Sequence, residues 1–434
     1  NCSFVNNSAG SDGGAINFNN GGSCVNCSFV GNSANSYGGA IYCKESSTLN
    51  IEATNENSIT FSGNNASSHG GAILHKNSTI KIVGTESAPV VFESNETDKQ
   101  GGAIYLITDS ETVTAKLDAS YASFKTNTAK QVVQYGGGAI YSSGGVINLD
   151  NTSFDGNHAI FGGAISLYSG SVLTGEKITF TNNIADLQGG VIYTSKATVT
   201  LTDSSASGNK ALGATTIEGE SETHTNGYGG AFYFNTTTTA ILNNVDFLSN
   251  TAQMGGAVVV YGSSNVTFTN CIFDGNTTTR LGTNDSQGGA IYSFKGETTL
   301  NSCIIKNSSA GTRGSAIYST TSTLTLKDCS IIENTGNDSI VYLTKSTFNS
   351  TNDTYTRNST KTGVIYINTN TVATIVDAIM EYNTATSHGG CIYIPNGTLT
   401  IDNLSATSNI SGGNGGAIHI TSSSASATIK NSSF

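Results

Sequence analysis

The run Gly38-Gly39-Ala40-Ile41-Tyr42 decides the fold, because it recurs along the whole chain. Its second position falls at Gly14, Gly39, Gly71, Gly102, Gly138, Gly163, Gly190, Gly230, Gly256, Gly289, Ser315, Ser339, Gly363, Gly390 and Gly416. These fifteen copies have a mean spacing of about 29 residues, and the shortest spacings are 24 to 27. The longer ones read as a unit of ~25 residues carrying loop insertions, since added loop length costs little. A second motif, Phe-x-x-Asn, precedes most copies, from Phe4…Asn7 through Phe29…Asn32 and Phe124…Asn127 to Phe273…Asn276. It decays to Ile331…Asn334, Tyr355…Asn358 and Met380…Asn383. A third run ends five residues before the Phe column and is clearest at Thr323-Leu324-Thr325-Leu326.

Each unit thus holds three short runs of period 2, broken by Gly, Asn, Asp or Ser, which is the pattern of strands. Equivalent strands lie one unit apart rather than adjacent in sequence, so they stack in parallel, coil on coil. The expected fold is all-β: a right-handed single-stranded parallel β-helix of about fifteen coils, with three short strands per coil. Such a chain forms one continuous domain over residues 1–434, a rod on the order of 70 Å long at ~4.8 Å per coil.

Composition agrees. The chain has 434 residues, of which 51 are Gly and only 11% are charged. The surface is therefore rich in hydroxyls and amides. A net charge of -11 with three arginines, Arg280, Arg313 and Arg357, excludes a basic nucleic-acid binder. No run of 18 apolar residues is present, so no membrane-spanning helix is expected.

The columns have distinct roles. Ile165 and Leu167, or Ile104 and Leu106, share a face and point inward. The alternating Ala and Tyr columns then face outward. The second Gly sits where a side chain would collide with the corner. The residue two before the Phe is small and apolar, and reads Cys2, Cys27, Cys271, Cys303 and Cys329 in five coils. These are expected as buried thiols, because parallel side-chain vectors make bridging awkward. The Asn column is expected at the turn, in the left-handed conformation that Asn tolerates, with side chains bonded coil to coil.

Candidate functional residues are few. The outward tyrosines Tyr105, Tyr141, Tyr193, Tyr233, Tyr292 and Tyr318 form a stripe, and Tyr is a favoured contact residue at interfaces. Glu218, Glu220, Glu222 and His224 form the densest acidic cluster, in the insertion 210–228. Two further insertions, 128–135 and 277–287, follow the same turn, and loops on a rigid scaffold are where binding residues concentrate. Roughly twenty Asn-x-Ser/Thr sequons include Asn65, Asn77, Asn95, Asn235, Asn276, Asn352 and Asn396, which are candidates for glycosylation. No clustered carboxylates with Arg or Lys, nucleophile elbow or phosphate loop occurs, so no catalytic residue, metal or cofactor is expected.

The paired Gly-Gly-Ala-[Ile/Leu/Val] and Phe-x-x-Asn repeats resemble the polymorphic outer membrane proteins of chlamydiae, and similar adhesin-like β-helix proteins of methanogenic archaea and some protists. The resemblance implies a secreted, surface-displayed passenger that binds a cell-surface protein or glycan. The leading expectation is a non-enzymatic extracellular adhesin or surface rod. A structural subunit of an extracellular filament is the alternative, and a polysaccharide-active enzyme the third. Because Asn1-Cys2-Ser3-Phe4 and Asn431-Ser432-Ser433-Phe434 occupy the same phase of the repeat, the sequence predicts either a longer parent chain or end-to-end self-association.

Overall fold

A computed structural model describes residues 1–44, 47–54, 58–130, 136–213, 226–279 and 285–434, and the backbone of 215–216 and 223–224. The chain divides into two compact units, Asn1–Thr225 and Asn226–Phe434. Each is a stack of parallel coils, and no helix occurs among the described residues.

In the first unit a representative coil runs Thr79–Val83, Val90–Glu93, Glu96–Thr97 and Ile104–Ile107. Each strand pairs in parallel with its equivalents one repeat away. Ile80 faces Leu49 and Leu117; Phe92 faces Phe61 and Phe124; Ile104 faces Ile73 and Ile140. The Ile-Tyr strand occurs seven times in this unit and eight times in the second, fifteen in all, as the repeat count predicts. The second unit is built alike: Leu324 pairs with Thr298 and Phe348, and Ile331 with Ile305 and Tyr355. The one antiparallel pair among the described residues joins Thr215–Thr216 to Thr223–His224, inside the longest insertion.

The three faces differ in detail from the sequence expectation. The first two runs of each unit share one sheet, bent between them at a residue of positive φ such as Tyr121 (49°) or Asn151 (44°). A strand of only two residues, Ser33–Ala34 in the second coil, supplies the remaining face. Thr128–Ala129, Lys210–Ala211 and Thr277–Thr278 are strands of this face, so the three insertions leave the coil after them rather than at 128, 210 and 277.

Aromatic and aliphatic columns fill the interior. Phe29, Phe61, Phe92 and Phe124 are fully buried, and successive rings lie parallel at 4.6, 4.7 and 4.8 Å. Ile104, Leu106, Ile165 and Leu167 are likewise buried, as expected for the inward pair. Cys271, Cys303 and Cys329 stack on successive coils as buried free thiols. Their Sγ–H groups are spent on the chain itself: Cys271 and Cys329 bond the carbonyls of Leu242 and Leu300.

The Asn column corrects one expectation. The left-handed residue is the one before the Asn: Asn6, Ser94 and Thr126 have φ of 55°, 54° and 50°. The Asn itself turns inward and, except at Asn7 and Asn409 in the end coils, is fully buried. In the first unit its side chain forms an unbroken ladder from Asn7 through Asn32, Asn64, Asn95, Asn127, Asn157 and Asn183 to Asn209.

Candidate functional site: the tyrosine trough

The double glycine creates the site. Gly38 has φ of 61°, and a Cβ on Gly39 would stand 2.1 Å from the Gly71 carbonyl oxygen of the next coil. At this coil only glycine fits so tight a corner; two later coils carry Ser315 and Ser339 in the same column. The residue just before the pair is thereby laid alongside the Tyr column: Tyr37, His69 and Gln100 form parallel bridges with one another. Tyr37 packs against Tyr42 at 6.3 Å and His69 against Tyr105 at 4.5 Å between ring centroids.

This cover changes the expected exposure. Tyr and Ala do lie on the face away from the Phe core. Yet the Ala residues are fully buried, and Tyr105, Tyr141, Tyr193, Tyr233 and Tyr318 are less than a tenth exposed. Tyr292 is half-buried. Tyr105 and Tyr141 join Leu74 in a separate apolar cluster flanked by Tyr37, Tyr42, Ile107 and Tyr168. The stripe is therefore a second, outer hydrophobic layer at the floor of a trough. Burial pushes the Tyr105 and Tyr318 hydroxyls up to about 12, so both stay protonated donors.

The ladder repairs its own gaps. Where the column holds Ser166, Tyr168 two residues on reaches both Tyr141 and Tyr193 at 5.4 Å. In the second unit Tyr261 serves the same purpose beside Val259, contacting Tyr233 at 6.1 Å and Phe294 at 5.0 Å. Tyr292, Tyr318, Tyr342 and Tyr366 then stack at 5.3, 5.2 and 4.6 Å. Arg313 lies 5.6 Å over Tyr342 and 3.5 Å from Asp285. In the first unit a pocket of about 250 Å3 opens among Tyr37, Tyr42, His69 and Tyr105, beside the Lys76–Asp109 ion pair at 2.7 Å. Burial, helped by Lys99, lowers His69 to about 4 and keeps it neutral.

Stacked rings spend their faces on each other. What such a ladder offers a ligand is edges and hydroxyls, hence hydrogen bonds rather than the face-on stacking of a sugar or base. Among the described residues no three His, Cys, Asp or Glu side chains converge as for a metal ion.

Other sequence candidates fall elsewhere. Glu218, Glu220 and Glu222 lie outside the described residues, and His224 is described only as backbone. Asn95 and Asn276 are fully buried ladder members whose side-chain amides donate to the carbonyls of Phe61 and Phe247. Those two sequons are thus closed in the folded chain, a correction that follows from their place in the Phe-x-x-Asn motif. Asn77 is buried and bonded to Asp109 in both directions. Asn65, Asn235 and Asn396 are half-buried, and Asn352 is exposed. Sequence reasoning missed the residues before Gly-Gly, Tyr37 and Arg313 above all.

The comparisons with known proteins agree with this architecture. The family described as "Right handed beta helix region" matches residues 223–379. The "Chlamydia polymorphic membrane protein (Chlamydia_PMP) repeat" matches residues 26–44, 58–76, 89–106 and 177–195. Each of these matches spans a Phe-column strand and the following Ile strand. "Probable outer membrane protein pmp6" of Chlamydia pneumoniae is 32% identical over 31% of this chain and 11% of its own length. "Probable outer membrane protein pmp7" of the same organism is 29% identical over 59% of this chain and 25% of its own. "Metabotropic glutamate receptor-like protein R" of Dictyostelium discoideum is 30% identical over 32% of this chain and 10% of its own. The matches thus span a tenth to a quarter of these relatives. No solved structure matches the chain. The chain is a right-handed parallel β-helix, and four of its repeats, between residues 26 and 195, match the chlamydial polymorphic membrane protein repeat.

Proposed function

We propose that this chain is a non-enzymatic, surface-displayed β-helix that attaches its bearer to other cells through a cell-surface protein or glycan. The observation that carries the reading is the repeat itself, shared with two relatives named as outer membrane proteins. The geometry supports it in two ways. Every coil re-presents the same outer columns, so the surface is periodic and suits contacts repeated along a partner. The trough adds protonated Tyr hydroxyls on a rigid floor, and the three insertions each follow the same two-residue strand of the repeat, Thr128–Ala129, Lys210–Ala211 and Thr277–Thr278.

The test is attachment of beads coated with the purified chain to cultured animal cells. Wild-type beads attach above albumin-coated ones. Deleting 213–226 with a short Gly-Ser bridge weakens attachment while leaving the β-sheet circular dichroism signal unchanged. Beads that attach no better than albumin-coated ones overturn the reading.

A further inference from the structure

We infer that a cleft in the second unit is a binding site for an acidic sugar of a cell-surface glycan. This deepens the attachment reading above and rests on it. The cleft lies on a different edge from the trough, at the turn between the Ile-Tyr strand and the next strand. Lys295, Thr321 and Lys345 occupy that turn in successive coils, since Phe294, Thr320 and Thr344 just before them are in register, and the preceding coil has one residue more there, Gly262 and Ser263 after Tyr261. Those three, together with Ser263, Ser322, Thr323 and Thr347, line a space of about 520 Å3, within the usual size of a small-ligand site.

Lys295 and Lys345 are the notable members. Both are exposed, and their backbones flank that of Thr321 one coil to either side, about 5 Å away, so two flexible ammoniums can converge on an anionic group seated over Thr321. Neither lysine makes an ion pair among the described residues; Lys327, Lys361 and Lys430 of this unit share that property, but of these five only Lys295 and Lys345 line the cleft. Lys295 Nζ rests 5.0 Å from the Phe294 ring centre, which holds it without neutralising it. Glu297 is the one acid at the rim. Its carboxylate accepts from Asn265 Nδ2 at 3.1 Å, on the side away from Lys345.

The fold does not require lysine here, since Thr321 occupies the same left-handed turn position, and Gly262 and Ser263, both of positive φ, make the turn of the preceding coil. Apart from Asn265, Gly296 and Glu297, the rest of the lining is Ser and Thr. Two uncompensated ammoniums set among hydroxyls match a carboxylate or sulfate carried on a polyhydroxylated ring. An extended polyanion such as nucleic acid is disfavoured by the net charge of -11.

The probes are a heparin tetrasaccharide, neutral chitotetraose and inorganic sulfate, titrated calorimetrically into the full chain at physiological ionic strength. The tetrasaccharide is expected to bind, more weakly as salt rises, and chitotetraose not to bind. Lys295→Ser with Lys345→Ser, which installs the residue already present at 263, is expected to weaken the tetrasaccharide about tenfold, or ~1.4 kcal/mol. Lys327→Ser with Lys361→Ser, elsewhere on the same unit, is expected to bind as wild type. Three results overturn the inference: unchanged affinity in the first variant, equal loss in the second, or sulfate binding as tightly as the tetrasaccharide, which means a free-anion site. Wild-type cell attachment by the Lys295/Lys345 variant also overturns the cleft, yet leaves the attachment reading standing. Failure of the unmodified chain to attach overturns that reading instead.

Discussion

Asn95 hands both its main-chain N–H and its side-chain amide to one atom, Oδ1 of Asn127, at 3.0 and 2.9 Å. Asn127 in turn donates its side-chain amide to the Phe92 carbonyl at 2.9 Å. Every atom of the amide is used, in a site with no access to water. Asn127→Ala therefore strands two donors and the Phe92 carbonyl, each costing about 1–3 kcal/mol, and takes one of two donors from Asn157 Oδ1. We expect a loss of roughly 4 kcal/mol by urea denaturation. Asn127→Asp should be no better, since it removes the donor to Phe92 and buries a charge.

The second unit carries a natural break in the same ladder. Ser308 stands where an Asn would accept from Asn276, and it uses its hydroxyl on the Lys306 carbonyl instead. Its N–H still donates to Asn334 Oδ1 at 2.9 Å. Ser308→Asn should complete the ladder and raise stability by about 1 kcal/mol, read as a higher denaturation midpoint at unchanged slope. A lower midpoint would mean that the site is too tight for the larger side chain.

How much of this was legible depends on range. The Ile, Phe and Gly columns are local and repeat fifteen times, so period 2 and the spacing gave the fold class, the inward face and the glycine corner. The two-residue strand Ser33–Ala34 was not legible, because two residues show no alternation. The burial of Tyr105 was not legible either. It is set by His69, contributed by the preceding coil, and no columnwise reading joins those two positions. The Asn ladder was half legible. Coil-to-coil bonding followed from the repeat, but the left-handed residue was assigned one position late, because Ser94 and Thr126 are not residues that announce positive φ.

Ile165 tests the inward face directly. It is fully buried and pairs with Ile140 and Ile192 in the coils on either side. Ile165→Asp places an uncompensated charge in that column and should cost more than about 4 kcal/mol. Thr174→Asp, at an exposed position on the next strand of the same coil, should cost less. Equal thermal shifts for the two would contradict the inward placement of Ile165.

Two buried titratable groups make the units respond oppositely to acid. His75, in the first unit, is fully buried, with Nε2 at 3.0 Å from the Lys116 carbonyl and Nδ1 against the Ser78 hydroxyl. Burial lowers it to about 4. Its folded value lies below the unfolded ~6.5, so its stabilising contribution is complete above pH ~6.5 and is lost as pH falls toward 4. Asp353, in the second unit, is equally buried, and accepts from the Cys329 N–H and the Ser350 hydroxyl at 2.6 Å each. Burial raises it to about 6. Its folded value lies above the unfolded ~3.9, so its contribution is complete below that value and is lost as pH rises through 6. His75→Leu, matching Leu106 of the next coil, should flatten part of the acid-induced loss between pH 6.5 and 4; His69 retains a share of it. Asp353→Asn keeps an acceptor for Cys329 and offers Ser350 a donor. It should stabilise by on the order of 2 kcal/mol at pH 7.5 and little at pH 4. Hydrogen exchange read separately over the two units at both pH values checks the pair of signs. A gain from Asp353→Asn that is larger at pH 4 than at pH 7.5 would reverse the assignment of Asp353 as a carboxyl held protonated by the fold.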